Sequence, residues 1–446
     1  MGIYVELDAA SKWPEEVAAS VLSQGQSKTT LLLLEVRGRS DVDAFLKAHK
    51  AEVDQALSVY GGVLFRGFDT QGAQDLMRVA DSVLDEPMVY RDRASPRSQV
   101  EGFVFTSTDA ASHLNIRMHC ESSFTHRWPG RILFQCVKPS RSGGATPIAD
   151  VREVYKRISE PLRRRLEESG ISYVRHFGSG PGMDFRDVFQ VKDEDELRRY
   201  CKEAGIHIGE MPDGKLRLWQ TRPALAVHPK TNEKVWFNHA CTLHVSLLES
   251  GLRDALRAQY GESSLPHNTY AGDGSLLSDG EVEELYAAYE AEILRFDWQA
   301  GDVLLLDNML MAHGRDPYEG NREVVVAMGD PLTWDDVTHS GMQGFSPDCL
   351  ESIDSKKDVE KAGEKAVFNL SEEALLQILL EIVREALEQP ELTASDDFFE
   401  FGGDSVIAAK VVQEVEEKVG LTIPLDLFFD TECIRDWARE LTMAEV

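Results

Sequence analysis

Residues 336–368 divide the sequence into two unequal parts, because the periodic placement of apolar residues stops there. The stretch reads DVTHSGMQGFSPDCLESIDSKKDVEKAGEKAVF and is largely polar, without the period of a strand or a helix. One hydrophobic core cannot extend through such a segment, so the segment is predicted to be a linker. We expect a domain over 1–335, a linker over 336–368 and a second domain over 369–446.

The first part alternates irregularly between strand-like and helix-like segments. Strands are predicted at 29–36, 61–68, 131–138, 171–177, 216–228, 302–313 and 322–328. Helices are predicted at 40–57, 70–84, 150–169, 245–260 and 279–296. No glycine-rich turn joins a strand to a helix, which argues against a doubly wound nucleotide-binding sheet. The pattern favours an α+β fold in which helices are inserted into a β-core.

The second part is acidic and helical. Residues 351–446 carry 24 acidic and 9 basic side chains, which is half of the formal net charge of −30. Ser371, followed by two glutamates, opens a helix that Pro390 ends, and two further helices follow. About 75 residues of this kind predict one small helical bundle, whose core alone would be marginally stable.

Charge and targeting signals narrow the classes of partner and compartment. The strongly negative charge argues against nucleic acid or an anionic membrane as partner. The first residues have no basic-then-apolar signal pattern, and no apolar run reaches membrane-spanning length, so the sequence predicts a cytoplasmic protein. Six cysteines without CxxC pairs predict free thiols in a reducing compartment.

A candidate metal site begins with MHCESSF, residues 118–124. If this stretch is extended, His119 and Glu121 share one face and Cys120 points to the other. His313, at the end of an apolar strand, could supply a third ligand. Two histidines and one carboxylate form the facial triad of non-haem Fe(II) oxygenases, which leaves coordination positions open. The residues alone leave the alternatives open, because an H-x-E pair often occurs by chance and His313 could be an ordinary turn histidine.

The sequence also contains a candidate pair of residues for binding a carboxylate. Arg322 opens the strand after His313, and Thr146 follows a Gly-Gly turn at another strand entry. A planar guanidinium beside a hydroxyl is suited to bidentate recognition of a carboxylate. Alternatively, Arg322 could be a surface charge paired with Glu319 or Glu323.

These motifs resemble those of the TauD/TfdA family of Fe(II)/2-oxoglutarate-dependent oxygenases. MHCESSF, GGATPIAD and LLLDNMLMAHGRDPYEGNREVVVAM carry the resemblance, and RASPRSQVEGFVFTSTDAASH with VWFNHACTLH resembles the syringomycin-biosynthesis hydroxylase-like branch. The resemblance spans roughly 30–330 and implies a double-stranded β-helix (jelly-roll) core. It also implies that His119, Glu121 and His313 bind Fe(II), and that Arg322 and Thr146 hold the distal carboxylate of 2-oxoglutarate, with O2 as cosubstrate.

Two positions refine this resemblance. Halogenases of the superfamily have Ala or Gly where this chain has Glu121, so the resemblance implies oxygenation rather than chloride transfer. Taurine-type members have a second arginine four residues after the cosubstrate arginine. Val326 stands there in this chain, so a free sulfonate is not the expected substrate.

The second domain contains DDFFEFGGDSVIAAKVV, residues 396–412, in which Ser405 precedes a helix. A helix N-terminus favours an attached phosphate, although Asp404 or Ser405 could equally be a simple N-cap. The stretch resembles the phosphopantetheine-attachment motif of peptidyl and acyl carrier proteins, which form four-helix domains. The resemblance implies that a phosphopantetheinyl transferase attaches 4'-phosphopantetheine to Ser405.

Together, the two resemblances imply an oxygenase fused to a substrate carrier. The expected reaction is hydroxylation of an aminoacyl or acyl thioester in nonribosomal peptide-type biosynthesis, supplied by an adenylating or loading enzyme or by synthetase modules. Desaturation or another oxidation, a free amino acid as substrate, and a carrier scaffold with an inactive oxygenase half are the alternatives. Within VWFNHACTLH, Trp236 and Phe237 could contact substrate but are more often core residues.

Overall fold

A computed structural model describes residues 3–6, 13–38, 40–89, 91–92, 97–178, 184–211, 214–346, 371–419, 421, 423–431 and 433–443. The strands are β1 Ile3–Glu6, β2 Val17–Ser23, β3 Thr30–Val36, β4 Gly62–Arg66, β5 Gln99–Glu101, β6 Val104–Thr106, β7 Ile116–His119, β8 Arg127–Lys138, β9 Ser142–Gly143, β10 Ile148–Asp150, β11 Ile171–Phe177, β12 His207–Glu210, β13 Leu216–Arg222, β14 Leu225–Val227, β15 Lys234–Trp236, β16 His267–Ala271, β17 Val303–Asp307, β18 Met311–Arg315, β19 Tyr318–Glu319, β20 Glu323–Thr333 and β21 Thr338–His339.

The helices follow the same order along the chain. They are α1 Val42–Ala48, α2 Lys50–Tyr60, α3 Ala73–Val83, α4 Val151–Arg157, α5 Glu160–Ser169, α6 Phe185–Phe189, α7 Glu194–Ala204, α8 Ser250–Tyr260, α9 Asp279–Glu290, α10 Glu372–Leu387, α11 Ser405–Val419, α12 Asp426–Asp430 and α13 Ile434–Met443. Short 3-10 helices span Val245–Leu247 and Trp334–Asp336. No helix in the described ranges is long and apolar enough to cross a membrane.

Two sheets form the β-core, and the predicted jelly-roll is confirmed. The larger has nine strands in the order β1-β2-β3-β4-β17-β8-β20-β6-β5, and the smaller has three in the order β10-β18-β7. Alternate residues of β17 enter different cores. Leu304 and Leu306 lie in a cluster with small-sheet residues such as Met118 and Met311. Their neighbours Val303 and Leu305 lie in a cluster with helices α1 to α3, which explains why this strand is apolar on both faces.

The apolar run 302–313, predicted as one strand, forms two strands that belong to different sheets. Asp307 ends β17, and its Oδ1 accepts hydrogen bonds from the backbone N–H groups of Met309 and Leu310, at 3.0 and 3.2 Å. The turn that it stabilises carries the chain from the large sheet to the small one. His313 therefore lies in β18, opposite β7.

Other predicted elements are also divided. The expected strand 216–228 breaks into β13 and β14 around Pro223, which has no N–H to donate to a ladder. The helix expected over 150–169 becomes α4 and α5, with a proline in the first turn of α5. Strand β21 pairs with β14, so the β-structure of the first domain continues past the predicted boundary at 335. Residues 347–368 of the predicted linker lie outside the described residues.

The C-terminal helices α10 to α13 pack around an apolar cluster that includes Leu379, Phe398 and Trp437. Ser371 caps α10, as predicted, because its side chain accepts a hydrogen bond from the backbone N–H of Ala374. This cluster is larger than the sequence indicated. It also contains side chains from α8 and its preceding 3-10 helix, in the first domain.

Candidate metal centre and cosubstrate pocket

Two histidines face each other across the small sheet. Strands β7 and β18 are antiparallel, and their register pairs His119 with His313. The two ring centroids are 4.5 Å apart. Since cross-strand partners point to the same side of a sheet, both imidazoles project into the same space between the sheets.

Glu121 adds a carboxylate from the turn after β7. Its Oε2 lies 3.9 Å from His119 Nε2 and 3.8 Å from His313 Nε2. One ligand atom from each of the three residues lies within 4.8 Å of the others. Two atoms that bind one ion at about 2.0–2.2 Å can be at most about 4.4 Å apart, so the two measured separations are compatible with a shared ion. The donor set of two imidazoles and one carboxylate fits Fe(II).

The protonation of the histidines also fits metal binding. His119 Nδ1 lies 2.8 Å from the carbonyl oxygen of Arg117, which can only accept, so Nδ1 carries the proton and Nε2 keeps its lone pair. Burial lowers the pKa of His119, and it lowers the pKa of His313 well below its usual value. Both rings are therefore neutral at neutral pH. His313 Nδ1 is buried and has no hydrogen-bond partner among the described residues.

The backbone reaches this arrangement by a different route from the one predicted. Strand β7 ends at His119, and Glu121 lies in a turn rather than on an extended strand. Ser122 continues the turn in the left-handed region, with φ of 57°. Cys120 is completely buried in the main core, where burial raises the pKa of its thiol well above the usual value. The cysteine packs, as predicted.

Arg322 and Thr146 meet at the other end of the same space. The Arg322 guanidinium donates to the carbonyl of Gly144 at 2.9 Å and to Thr146 Oγ1 at 3.3 Å. Thr146 Oγ1 also accepts from Trp298 Nε1 at 3.0 Å, so its own proton remains available to a ligand. Burial and the neighbouring Arg315 lower the pKa of Arg322 to about 10, and it stays charged at neutral pH. Glu319, an alternative partner for Arg322, instead pairs with Arg141.

One cavity connects the two groups. Its lining includes both histidines, Arg322 and Thr146, together with Phe134 and Arg315. The space amounts to about 380 Å³ with its open mouth included. The histidine pair and the Arg322–Thr146 pair therefore face the same space.

Three further residues contact the candidate metal ligands, and the sequence did not predict them. Arg97 is buried and donates to Glu121 Oε2 at 2.5 Å. Asn308 binds the backbone of Glu121 in both directions, accepting from its N–H at 2.7 Å and donating to its carbonyl at 2.9 Å. His239 lies beside His119, with ring centroids 5.5 Å apart, and burial lowers its pKa to about 3.

In the sequence, these three residues are marked only by lying in the motifs that carry the family resemblance. Arg97 lies in RASPRSQV, Asn308 in LLLDNMLMAH and His239 in VWFNHACTLH. No spacing rule connects any of them to the triad. In the last motif Trp236 and Phe237 are completely buried core residues, which was the more ordinary interpretation.

The attachment motif of the second domain forms a tight turn before α11. Gly402 has φ of 94°, and a Cβ added to Gly403 would collide with the Phe398 ring. Asp404 Oδ1 accepts from the backbone N–H of Ile407 at 2.8 Å, so Asp404 caps the helix. Ser405 is the first residue of α11, and its side chain lies outside the described part of the structure. The five cysteines in the described residues are free thiols, as predicted.

Comparison with known proteins assigns both parts of the chain. Residues 34–328 match the profile of the taurine catabolism dioxygenase TauD, TfdA family, and residues 377–441 match that of the phosphopantetheine attachment site. The chain is 35% identical over 293 residues to the dapdiamide synthesis protein DdaC of Enterobacter agglomerans, covering 66% of this chain and 88% of that protein.

Two further similarities extend the comparison. A clavaminate synthase-like protein of Arabidopsis thaliana is 29% identical over 293 residues, which cover 64% of this chain and 86% of that protein. Among solved structures, PvcB of Pseudomonas aeruginosa aligns with a TM-score of 0.43 at 16% identity, over 74% of this chain and 96% of that one.

Proposed function

The chain belongs to the TauD/TfdA family of dioxygenases, and from this premise we propose that it hydroxylates an aminoacyl or acyl group held as a thioester on a carrier protein. It is an Fe(II)/2-oxoglutarate-dependent oxygenase with a C-terminal carrier domain. The name of the relative DdaC refers to dapdiamide synthesis, which supports a place in natural-product biosynthesis of the nonribosomal-peptide type.

The observation that carries the proposal is a cavity that is lined both by the histidine pair and by Arg322 with Thr146. We assign His119, Glu121 and His313 as iron ligands, and Arg322 and Thr146 as the binding site for the distal carboxylate of 2-oxoglutarate. With iron, 2-oxoglutarate and O2 bound, the site supplies an oxidation in which 2-oxoglutarate becomes succinate and CO2 and a substrate C–H bond becomes C–OH.

The residues of the chain orient and shield this chemistry. Asn308 fixes the backbone of Glu121, and Arg117 fixes the His119 ring through its carbonyl. Phe134 packs edge-on against His313, with ring centroids 5.0 Å apart, and limits water at this ligand. Glu121 occupies the position at which a halogenase of the superfamily leaves room for chloride, which supports hydroxylation.

The carrier domain determines how substrate arrives. It requires a phosphopantetheinyl transferase and a loading partner, as carrier domains do in general. We assign Ser405 as the attachment residue and a peptide-synthetase adenylating enzyme or module as the loading partner. We also propose an oxygenase domain over 1–335, continued by β21 to His339, a linker up to 368 and a carrier domain over 369–446.

Intact-protein mass spectrometry of the pantetheinylated chain tests this function. The chain is loaded with candidate aminoacyl groups and incubated with O2, with and without Fe(II) and 2-oxoglutarate. A gain of one oxygen on the tethered group is expected, and His119→Ala should abolish it. A loss of two hydrogens would make the enzyme a desaturase, and no change with any cargo would favour a scaffold. If Ser405→Ala oxidises a free amino acid at the full rate, the substrate is not tethered.

A further inference from the structure

The carrier domain shares a hydrophobic core with the oxygenase domain. Leu252 and Leu256 of α8 are at most 7% exposed and belong to the same apolar cluster as Ala408 and Val412 of α11. Because α11 begins at Ser405, the helix that contacts the oxygenase is the one that carries the attachment residue at its N-terminus. Apolar burial of this kind holds the two domains together rather than leaving them merely adjacent.

Polar contacts at the end of α8 fix the orientation of this interface. Gln259 Oε1 accepts from the backbone N–H of Leu425 at 2.6 Å. The Tyr260 hydroxyl donates to Asp426 Oδ1, and Lys215 Nζ lies 3.8 Å from Asp426 Oδ2. Directional bonds to the turn and first residue of α12 therefore complement the apolar contact with α11. These bonds orient the carrier domain on α8.

A third contact lies beside the attachment residue itself. His113 Nε2 is 3.0 Å from Oδ2 of Asp404, the residue before Ser405. His113 belongs to the segment 107–115, and Arg315 binds the carbonyls of that segment at Ala110, Ala111 and Leu114. Ser107, Thr108 and Arg315 line the cosubstrate cavity. The segment that contacts the carrier is therefore also a wall of the active site.

The distance from His113, which contacts the residue before Ser405, to the first candidate metal ligand can be bounded from chain geometry. His113 lies six residues before His119, so their Cα atoms are at most about 22 Å apart. A phosphopantetheine arm contains two amide units between its phosphate and its sulfur and has a comparable reach. A second link joins the strand of His119 to the docking helix, since Arg117 of β7 donates to the carbonyl of Leu247, just before α8, at 2.5 Å.

We propose that the carrier domain presents its substrate to the iron site of its own chain, docked on α8 with His113 positioning the attachment turn at the mouth of the active-site cavity. This inference rests on the proposed function and adds the route of delivery. The cargo then reaches the site at an effective concentration of about 1 mM, set by the connection within one chain. Carriers on other chains compete poorly at micromolar protein concentration.

Complementation between two full-length variants tests delivery within the chain. Ser405→Ala keeps the oxygenase but cannot be loaded, and His119→Ala can be loaded but lacks a metal ligand. We expect their equimolar mixture, at about 10 µM, to oxidise the tethered group about 100-fold more slowly than loaded wild type. Equal rates would overturn delivery within the chain and leave tethered oxidation intact. If loaded wild type also fails while a soluble pantetheine thioester is oxidised, the proposed function is wrong and this inference falls with it.

Docking variants test the interface. Tyr260→Phe removes one hydrogen bond to a carboxylate and should lower the ratio of tethered to soluble-thioester oxidation about tenfold. His113→Ala should lower the same ratio, and Lys202→Glu, an exposed substitution on α7, is the control that leaves it unchanged. Far-ultraviolet circular dichroism verifies that each variant is folded. Unchanged ratios in both Tyr260→Phe and His113→Ala would contradict this docking pose.

Discussion

The assignment of Arg322 leads to a quantitative prediction for 2-oxoglutarate binding. Arg322→Lys keeps a positive charge in the cavity but replaces a planar fork of donors by a single ammonium group. The loss of one hydrogen bond to a charged carboxylate costs about 1.5–3 kcal/mol. Since each 1.4 kcal/mol is tenfold, the Kd for 2-oxoglutarate should rise about 10- to 150-fold.

Removal of the charge should have a larger effect. In Arg322→Met the carboxylate of the cosubstrate has no cationic partner at that end of a buried cavity. Loss of one partner of a buried charge pair costs about 2–5 kcal/mol, which corresponds to a Kd about 30- to 4000-fold higher. The Kd for 2-oxoglutarate is therefore expected to rise from wild type to Arg322→Lys to Arg322→Met. The iron content should stay unchanged, because Arg322 is not proposed as an iron ligand.

Anaerobic equilibrium binding of 2-oxoglutarate to the Fe(II)-loaded protein measures these values. Arg141→Lys is the matched control, because Arg141 is a nearby but exposed arginine that pairs with Glu319 at 2.8 Å. The control should bind 2-oxoglutarate like the wild type. If Arg322→Lys also binds with the wild-type Kd, the carboxylate does not lie against this guanidinium and the orientation of the cosubstrate is wrong.

The remaining predictions concern stability and metal content. Glu121→Ala removes the buried counter-ion of Arg97 and should lower the unfolding free energy of the metal-free protein by about 3–5 kcal/mol. In urea unfolding, the double variant Glu121→Ala/Arg97→Met should recover part of that lost free energy. If the effects of the two substitutions simply add, Arg97 and Glu121 are not energetically coupled. Cys120→Ala should keep a full iron content by elemental analysis, because the thiol only packs in the core; loss of iron would make the cysteine part of the site. Burial lowers the pKa of His244 from about 6.5 in the unfolded chain to about 4 in the folded protein. The stability that the neutral ring contributes is therefore fully present above pH 6.5. About 3 kcal/mol of the unfolding free energy is lost as the pH falls from 6.5 through 4. The unfolding free energy of His244→Asn should lack this dependence, and an equal decline in both proteins would show that His244 is not its source.

Sequence periodicity predicted the features that depend on neighbouring residues, which are the strands, the helices and the candidate metal ligands. The candidate metal ligands could be named because the sequence itself shows a histidine and a carboxylate two positions apart and a histidine at the end of an apolar strand. Strand alternation was nevertheless the wrong reason for the pairing, since β7 ends at His119 and Glu121 lies in a turn. The residues that fix Glu121 are Arg97, 24 positions away, and Asn308, 187 positions away, and no local pattern reports such contacts.

The division of the apolar run 302–313 was hidden for a similar reason. Leu304–Leu306 and Met309–Met311 are all apolar, so nothing in the hydrophobic pattern shows that the chain changes sheets between them. The packing of the carrier on α8 was also unpredictable, because Leu252 and Leu256 look like the inward face of any amphipathic helix. Which partner covers such a face is decided by tertiary structure.

The side chain of Asn308 has a consequence for the handling of this protein. It holds the turn of Glu121 through both backbone groups of that residue, and it also donates to the carbonyl of Pro129 at 2.8 Å. The backbone of Glu121 is thus fixed by amide hydrogen bonds that need no metal ion, unlike a zinc finger, in which the metal drives folding. Chelation should therefore yield a folded apoprotein, which can be refilled with Fe(II) or with redox-inert divalent ions for spectroscopy and crystallisation without a denaturation step.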